Sequence, residues 1–260
     1  MSAISLLANR EKRDAFLLHG EAFRFAKKIV GEQMRIVSWN CNGKFREKYN
    51  RIMIYDADVY IIQECENPSV ISDEDYKKFA SNSIWTGDNK NRGLGVFAKE
   101  DVCLTDNKWE DYCLRYFISC NINNEFNLIG VWAMRPYIEE YYVYQAIHKE
   151  KYDEKTVVIG DFNSNAIWDS SHGKRNHAAA VKELSEKGLV SAYHHLYKEN
   201  QGEETVPTFY MYRKIVRSYH IDYCFIEPKR IHRMAIGKYE EWIDISDHMP
   251  VFIEFLNIHN

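Results

Sequence analysis

From Met34 onward the chain is a succession of short apolar runs separated by polar turns. MRIVSWN (34–40), DVYIIQE (58–64), GLGVFAK (93–99) and TVVIG (156–160) are of strand length, rich in β-branched and aromatic residues, and bounded by turn formers. RYFISCNI and EFNLIGVWAM flank Asn123-Asn124, which predicts a hairpin whose turn residues tolerate positive φ. Pro136 opens PYIEEYYVYQAIHKEKY, a helical pattern with proline tolerated in its first turn. RNHAAAVKELSEKG predicts a second helix, closed by Gly188. PTFYMYR, YHIDYCFI and DHMPVFIEF return to strands. There is no repeat at a solenoid period, no low-complexity tract and no linker. The pattern predicts one compact α/β domain, with two β-sheets packed face to face and helices outside.

The first 33 residues differ. ANREKRDAFLLHGEAFRFAKKIV places Phe16, Phe23, Ala26 and Val30 at helical spacing with charges between them, which predicts an amphipathic helix. The chain therefore divides into a helical extension, 1–33, and a domain, 34–260. GEQM can be encoded by a purine-rich stretch resembling a bacterial ribosome-binding site, which makes Met34 a candidate natural start. N-terminal sequencing of the native protein settles it, and finding Met1 or Ser2 would end the idea.

Composition narrows the class. A chain of 260 residues, 45% hydrophobic and 28% charged, is that of a globular protein with one large domain or two small ones. A formal net charge of −4 advertises no polyanionic partner, so nucleic-acid binding would rest on a local basic patch. None of the six cysteines forms a C-x-x-C pair, which favours buried free thiols in a reducing compartment over disulfides. The first residues are too short for a secretory signal, and no apolar run reaches the roughly 18 residues of a membrane span. The expectation is a cytoplasmic protein.

Polar residues recur where strands end. IVSWNCN closes on Asn40 and Asn42, VYIIQE on Gln63 and Glu64, and VVIGDFN on Asp161 and Asn163. YHIDY carries Asp222 within its strand, and ISDHMP puts Asp247 and His248 at the head of the last one. Acids and amides at buried strand ends cost desolvation energy unless they are paired or bind a metal. Any single one reads as easily as a turn, a cap or a surface pair; five in one domain point to a site built on a scaffold. Asp, Glu, Asn and His without cysteine suit a hard cation, Mg²⁺ or Mn²⁺, that shares its coordination with a substrate phosphate.

In their order along the chain, IVSWNCNG, DADVYIIQE, GLGVFAK, VVIGDFNSN, PTFYMYR, YHIDYCFI and SDHMPVFIEF resemble the motifs of the endonuclease/exonuclease/phosphatase superfamily, closest to its exonuclease-III and apurinic-endonuclease types. The resemblance covers residues 34 to about 256. It implies a four-layered αββα sandwich with two mixed sheets, and Mg²⁺- or Mn²⁺-dependent hydrolysis of phosphoester bonds. Carried over position by position, it implies Glu64 as principal metal ligand, with Asn40 and Asp247 supporting metal and water. Asn42 stands where apurinic-type members often have an aspartate. Asp161 would activate the attacking water and Asn163 donate to the phosphate. His248 would be the catalytic histidine, oriented by Asp222.

One departure concerns Trp132, in NLIGVWAMRP, where the family presents a tyrosine or histidine to the phosphate. An indole N–H donates one hydrogen bond and cannot shuttle a proton. Trp132 reads either as a substrate contact or as a core aromatic, and Arg135 is placed to supply charge to a phosphate instead.

The substrate class follows from the same comparison. PTFYMYR resembles the nuclease run, whereas the inositol-phosphatase run of proline, tryptophan, cysteine, aspartate and arginine is absent. Phe209 and Tyr210 are candidates for packing against nucleic acid, or for the core. From Thr208 to Arg233, six basic residues (Arg213, Lys214, Arg217, Lys229, Arg230 and Arg233) face only Asp222 and Glu227, a balance that suits a phosphate backbone or a solvated surface. SSHGKRNH (170–177) offers Lys174 and Arg175, with His172 and His177, as a substrate-contact loop before a helix start. The sequence therefore points first to a DNA nuclease. A phosphatase or phosphodiesterase on a small or lipid phosphate, and a binding protein with a weak site, remain as alternatives.

Overall fold

The structure is a computed structural model and describes residues 33–257. The amphipathic helix expected over 1–33 lies outside the described residues, apart from Gln33.

Fourteen strands are present among the described residues. In chain order they are β1 (Gln33–Asn40), β2 (Val59–Cys65), β3 (Ser83–Asn89), β4 (Arg92–Ala98), β5 (Leu104–Asp106), β6 (Phe117–Ile122), β7 (Phe126–Trp132), β8 (Val157–Asp161), β9 (Val190–Ser191), β10 (Phe209–Tyr210), β11 (Ser218–Tyr219), β12 (Asp222–Ile226), β13 (Ile231–Ile236) and β14 (Val251–Leu256). They form two six-stranded sheets, ordered β13-β14-β1-β2-β4-β3 and β5-β6-β7-β8-β12-β9, plus the ribbon β10-β11. Both sheets are mixed: β1 pairs with β2 in parallel and with β14 antiparallel, and β8 pairs with β7 in parallel and with β12 antiparallel.

Side-chain alternation decides which residues meet. Ile36, Val59, Ile61, Leu94, Val96, Val251, Ile253 and Phe255 of the first sheet share one core with Ile118, Cys120, Leu128, Val157, Ile159, Cys224 and Ile226 of the second. Val37, Trp39, Tyr60, Ile62 and Phe252 point the other way, into a layer with Phe45, Tyr76 and Trp242. Val131, Val158, Tyr223 and Phe225 pack outward against Ile138, Tyr141 and Leu184 of helices Ile138–His148 and His177–Glu186. The result is the four-layered αββα sandwich. Gly160 is required by its close approach: a Cβ there would meet the Val131 carbonyl oxygen at 1.9 Å.

Asn123 and Asn124 both adopt positive φ and make the expected tight turn. Helix 136–152 is shorter than its pattern, ending as α-helix at His148 before a 3₁₀ turn. PTFYMYR supplies only two strand residues, because Tyr212 and Arg213 take positive φ. β3 and β13 were not legible: their burial patterns are irregular, as befits edge strands with no clean inside and outside. Cys41, Cys65, Cys120 and Cys224 are buried free thiols, while Cys103 and Cys113 are exposed. No helix of the described residues is long and apolar enough to cross a membrane.

Candidate active site

The same alternation that builds the core builds the site. The inward row of β8 runs Val157, Ile159, Asp161; that of β12 runs back through Ile226 and Cys224 to Asp222. The β1 row ends on Ser38 and Asn40, the β2 row on Gln63, and the β7 row on Trp132. Each row is apolar in the middle of the sandwich and polar or amphipathic at one end, and register brings those ends together. Asp161 lies opposite both Asp222 and Trp132, and Asn40 lies opposite Gln63. Just below the site, Gln63 Nε2 bridges the sheets, donating to Ser38 Oγ at 2.9 Å and to the Val131 carbonyl at 3.2 Å.

Glu64 has the wrong parity for this row. A register irregularity between Gln63 and Cys65, with Glu64 at φ 63°, turns its side chain back. Its Oε1 then accepts from Asn40 Nδ2 at 3.3 Å.

Asn40 is the hub. Its Nδ2 also donates to Asp161 Oδ2 at 3.0 Å, and its Oδ1 accepts from the Asn42 N–H at 3.1 Å. Asn42 Nδ2 donates to Asp247 Oδ1 at 2.7 Å. Asp161, fully buried, further accepts from the Asn163 N–H at 2.8 Å and from Asn163 Nδ2 at 3.0 Å. His248 Nδ1 lies 3.0 Å from Asp222 Oδ2, and Nε2 lies 4.0 Å from Asp161 Oδ2.

Burial raises the Asp161 pKa well out of the carboxylate range; His248, Asn40 and the Asn163 N–H pull it down, and Asp222 adds to the rise. Burial alone would lower the His248 pKa, but the Asp222 and Asp161 charges outweigh it and keep the ring protonated.

Two hydroxyls hold these parts in place. Thr208 Oγ1 accepts from the Ile221 and Asp222 N–H groups, each at 3.0 Å. Ser246 Oγ donates to the Asn40 carbonyl at 2.7 Å and accepts from the His248 N–H at 3.0 Å. Lys48 Nζ donates to the Cys41 and Ile245 carbonyls, each at 2.7 Å, tying the Asn42 loop to the Asp247 loop. These residues do structural work that the motifs only imply.

The structure thus brings together Asn40, Asn42, Glu64, Asp161, Asn163, Asp222, Asp247 and His248. Phe209 joins them, its ring 4.6 Å from that of His248, whereas Tyr210 is buried with the outer aromatic layer. Trp132 is 3% exposed and stacks on Tyr116, so it forms the floor beside Asp161. Arg135 is exposed just beyond, with no ion pair among the described residues. Lys174 and Arg175 are exposed in a loop whose His172 ring lies 3.2 Å from Glu139, and among the described residues neither is hydrogen-bonded or ion-paired to the cluster. His177 is a core histidine bonded to Ser164 and Gln201. Arg213 is engaged by the Ile243 and Asp244 carbonyls, each at 2.7 Å. The basic excess of 208–233 divides: Arg230 is buried against Phe126 and Phe255 and donates to the Lys155 and Leu256 carbonyls, at the far ends of the strands.

One cation was missed. Arg92 heads the inward row Arg92, Leu94, Val96, and its Nη2 lies 2.5 Å from Glu64 Oε1. Its guanidinium also sits over the Trp132 ring, 5.5 Å from the centroid. The alternating run RGLGVFA is the sequence signal that could have found it.

The donor set fits a hard divalent cation. Glu64, Asp247 and the Asn40 and Asn42 amides offer oxygen donors and no thiolate. Asp161, Asp222 and His248 are also spaced to hold a metal, their ligand atoms lying within 4.8 Å of one another. However, His248 Nδ1 is taken by Asp222, and a protonated imidazole is no ligand.

No family model matches the chain, and no curated protein matches it in sequence. Solved structures do match in fold. The 3′ phosphatase NExo from Neisseria, bound to a product DNA hairpin, shares 17% identity, covering 85% of this chain and 99% of that one, with a TM-score of 0.61. An AP endonuclease from Archaeoglobus fulgidus shares 17% identity over 85% and 99%, with a TM-score of 0.60. The endonuclease domain of TRAS1, a telomere-specific non-LTR retrotransposon, shares 16% over 87% and 99%, also at 0.60. These neighbours are members of the endonuclease/exonuclease/phosphatase superfamily, and the chain shares their fold. At these identities the likeness is one of fold.

Proposed function

We propose that this protein is a divalent-cation-dependent phosphodiesterase that hydrolyses DNA, with Mg²⁺ or Mn²⁺ as the cation. The carrying observation is the buried Asp161 carboxylate, held by Asn40 and Asn163 with the Asp222-paired imidazolium of His248 4.0 Å away. When bound at Glu64 and Asp247, with the Asn40 and Asn42 amides beside it, the cation supplies charge neutralisation at the phosphate.

The protein's own residues supply the rest. Asp161 takes the proton of the attacking water as the new P–O bond forms and the ester P–O bond breaks. Its raised pKa makes the ionised carboxylate a stronger base than an ordinary aspartate. Asn40 and the Asn163 N–H fix the direction of its lone pairs. Asp222 occupies His248 Nδ1, so Nε2–H is left for a phosphate oxygen, and the imidazolium offsets charge that grows in the transition state. The ring of Phe209 borders this centre, and Arg135 is exposed three residues past Trp132; both suit a nucleic-acid strand. DNA as the substrate is supported by the fold's likeness to proteins that act on DNA.

The test is a panel of plasmid, single-stranded DNA, abasic duplex, RNA and inositol phosphates, with Mg²⁺ or Mn²⁺ and with Glu64→Gln as the blank. Cation-dependent cleavage of a DNA member, lost in Glu64→Gln, is expected. Cleavage of inositol phosphates alone would move the substrate to small phosphoesters. Absence of cleavage of any member would end the reading.

A further inference from the structure

Among the described residues, Arg92 is the one cation inside the polar cluster whose role neither the motifs nor the mechanism absorbs. It is placed there by parity, at the site end of a row whose next members, Leu94 and Val96, are in the core. Its guanidinium touches two things: Glu64 Oε1 at 2.5 Å and the face of Trp132 at 5.5 Å. Its side chain is 55% exposed, whereas that of Glu64 is 13% exposed. The contact with Glu64 is an ion pair, and no guanidinium donor of Arg92 makes a hydrogen bond among the described residues.

A divalent cation held by the Glu64 carboxylate would lie within a few ångströms of the guanidinium on Oε1, and the two positive charges repel in a half-buried site. A displaced guanidinium is a planar fork matched to a phosphate, and the Trp132 face keeps it at the site by cation–π attraction while it turns.

We propose that Arg92 is a substrate-phosphate residue held in reserve on Glu64: cation binding releases it, and it pivots on Trp132 to bind a phosphate of the DNA strand. The proposal rests on the cation-dependent phosphodiesterase reading of the site. It requires opposite effects of one substitution, weaker competition for the cation and weaker hold on the substrate.

The test uses the full chain as wild type, Arg92→Ala and Arg92→Lys, with thermal melts to establish folding. Mn²⁺ affinity is measured by calorimetry without DNA. Affinity for a fluorescent DNA hairpin in Mn²⁺ is measured in an Asp161→Asn background, so that no turnover intervenes. Arg92→Ala should bind Mn²⁺ several-fold tighter. It should bind the hairpin about 10-fold more weakly, with the slope of log K against log salt shallower by about one. Arg92→Lys should bind Mn²⁺ like wild type yet bind the hairpin more weakly, having lost the fork. Unchanged or weaker Mn²⁺ binding by Arg92→Ala, unchanged hairpin affinity, or no Mn²⁺ binding by wild type would overturn the proposal. If both shifts occur while the wild type cleaves no phosphoester, the phosphodiesterase reading falls and the exchange at Arg92 stands.

Discussion

Asp161 Oδ2 lies 4.0 Å from His248 Nε2, too far for a hydrogen bond and close enough for the two charges to govern each other. The other side of the imidazole is closed by Asp222 at 3.0 Å. The histidine therefore sits between two carboxylates, and the one without a hydrogen bond to it is fully buried.

Asp161→Asn should lower turnover at least about 10²-fold, because the amide cannot accept the water's proton. It should leave the fold intact. The Asp161 pKa is raised by folding, so the wild-type residue contributes its stability at acid pH and loses it as pH rises through the raised value. The stability of Asp161→Asn relative to wild type should therefore improve from about pH 4 upward. Denaturant midpoints across pH, beside single-turnover rates, measure both effects; full turnover in the variant would remove Asp161 from the chemistry.

His177 gives the opposite slope. Burial pulls its pKa down to about 4, with the Gln201 hydrogen bond opposing. A depressed histidine contributes stability that is present above about pH 6.5 and lost as pH falls through about 4. The loss is on the order of 3 kcal/mol. Urea midpoints at pH 7, 5.5 and 4.5 should fall in wild type and fall less in His177→Gln; parallel curves would reject the assignment.

Arg213→Ala should act on stability more than on DNA binding. The guanidinium donates to the carbonyls of Ile243 and Asp244, just past helix Tyr239–Trp242. Losing these bonds should cost about 1 kcal/mol. A drop in hairpin affinity with no change in the denaturant midpoint contradicts this.

Gly160→Ala should be among the most damaging single changes. The added methyl meets the Val131 carbonyl at 1.9 Å, in the strand pair that carries Trp132 and Asp161. A loss above about 3 kcal/mol is expected, read as a lowered melting temperature or failure to accumulate as folded protein. A variant as stable as wild type would mean that β7 and β8 can separate at little cost.

Alternation along a strand is local, so the runs ending in Asn40 and Asp161 were legible as strands with polar ends, whereas Asp222, read as lying within its strand, proves to begin it. The motif order also carried the eight clustered polar residues. PTFYMYR was misread as a longer strand because local propensity does not report that Tyr212 and Arg213 turn through positive φ. Lys174, Arg175 and Arg213 looked alike in sequence, as cations near motifs. The structure gives Arg213 two carbonyl partners and leaves the other two outside the cluster.

The sequence by itself determined which residues face inward, since a period of two is a property of the backbone. Register between β7, β8 and β12 decided that Asp161 meets Asp222 and Trp132, and an irregularity at Glu64 decided that a residue of the wrong parity enters the site. Those are relations between strands far apart in the chain, fixed by hydrogen-bond pairing and by the packing of one sheet on the other. For the same reason, alternation in RGLGVFA could put Arg92 on the inward row, but its pairing with Glu64 was decided only when β4 lay beside β2.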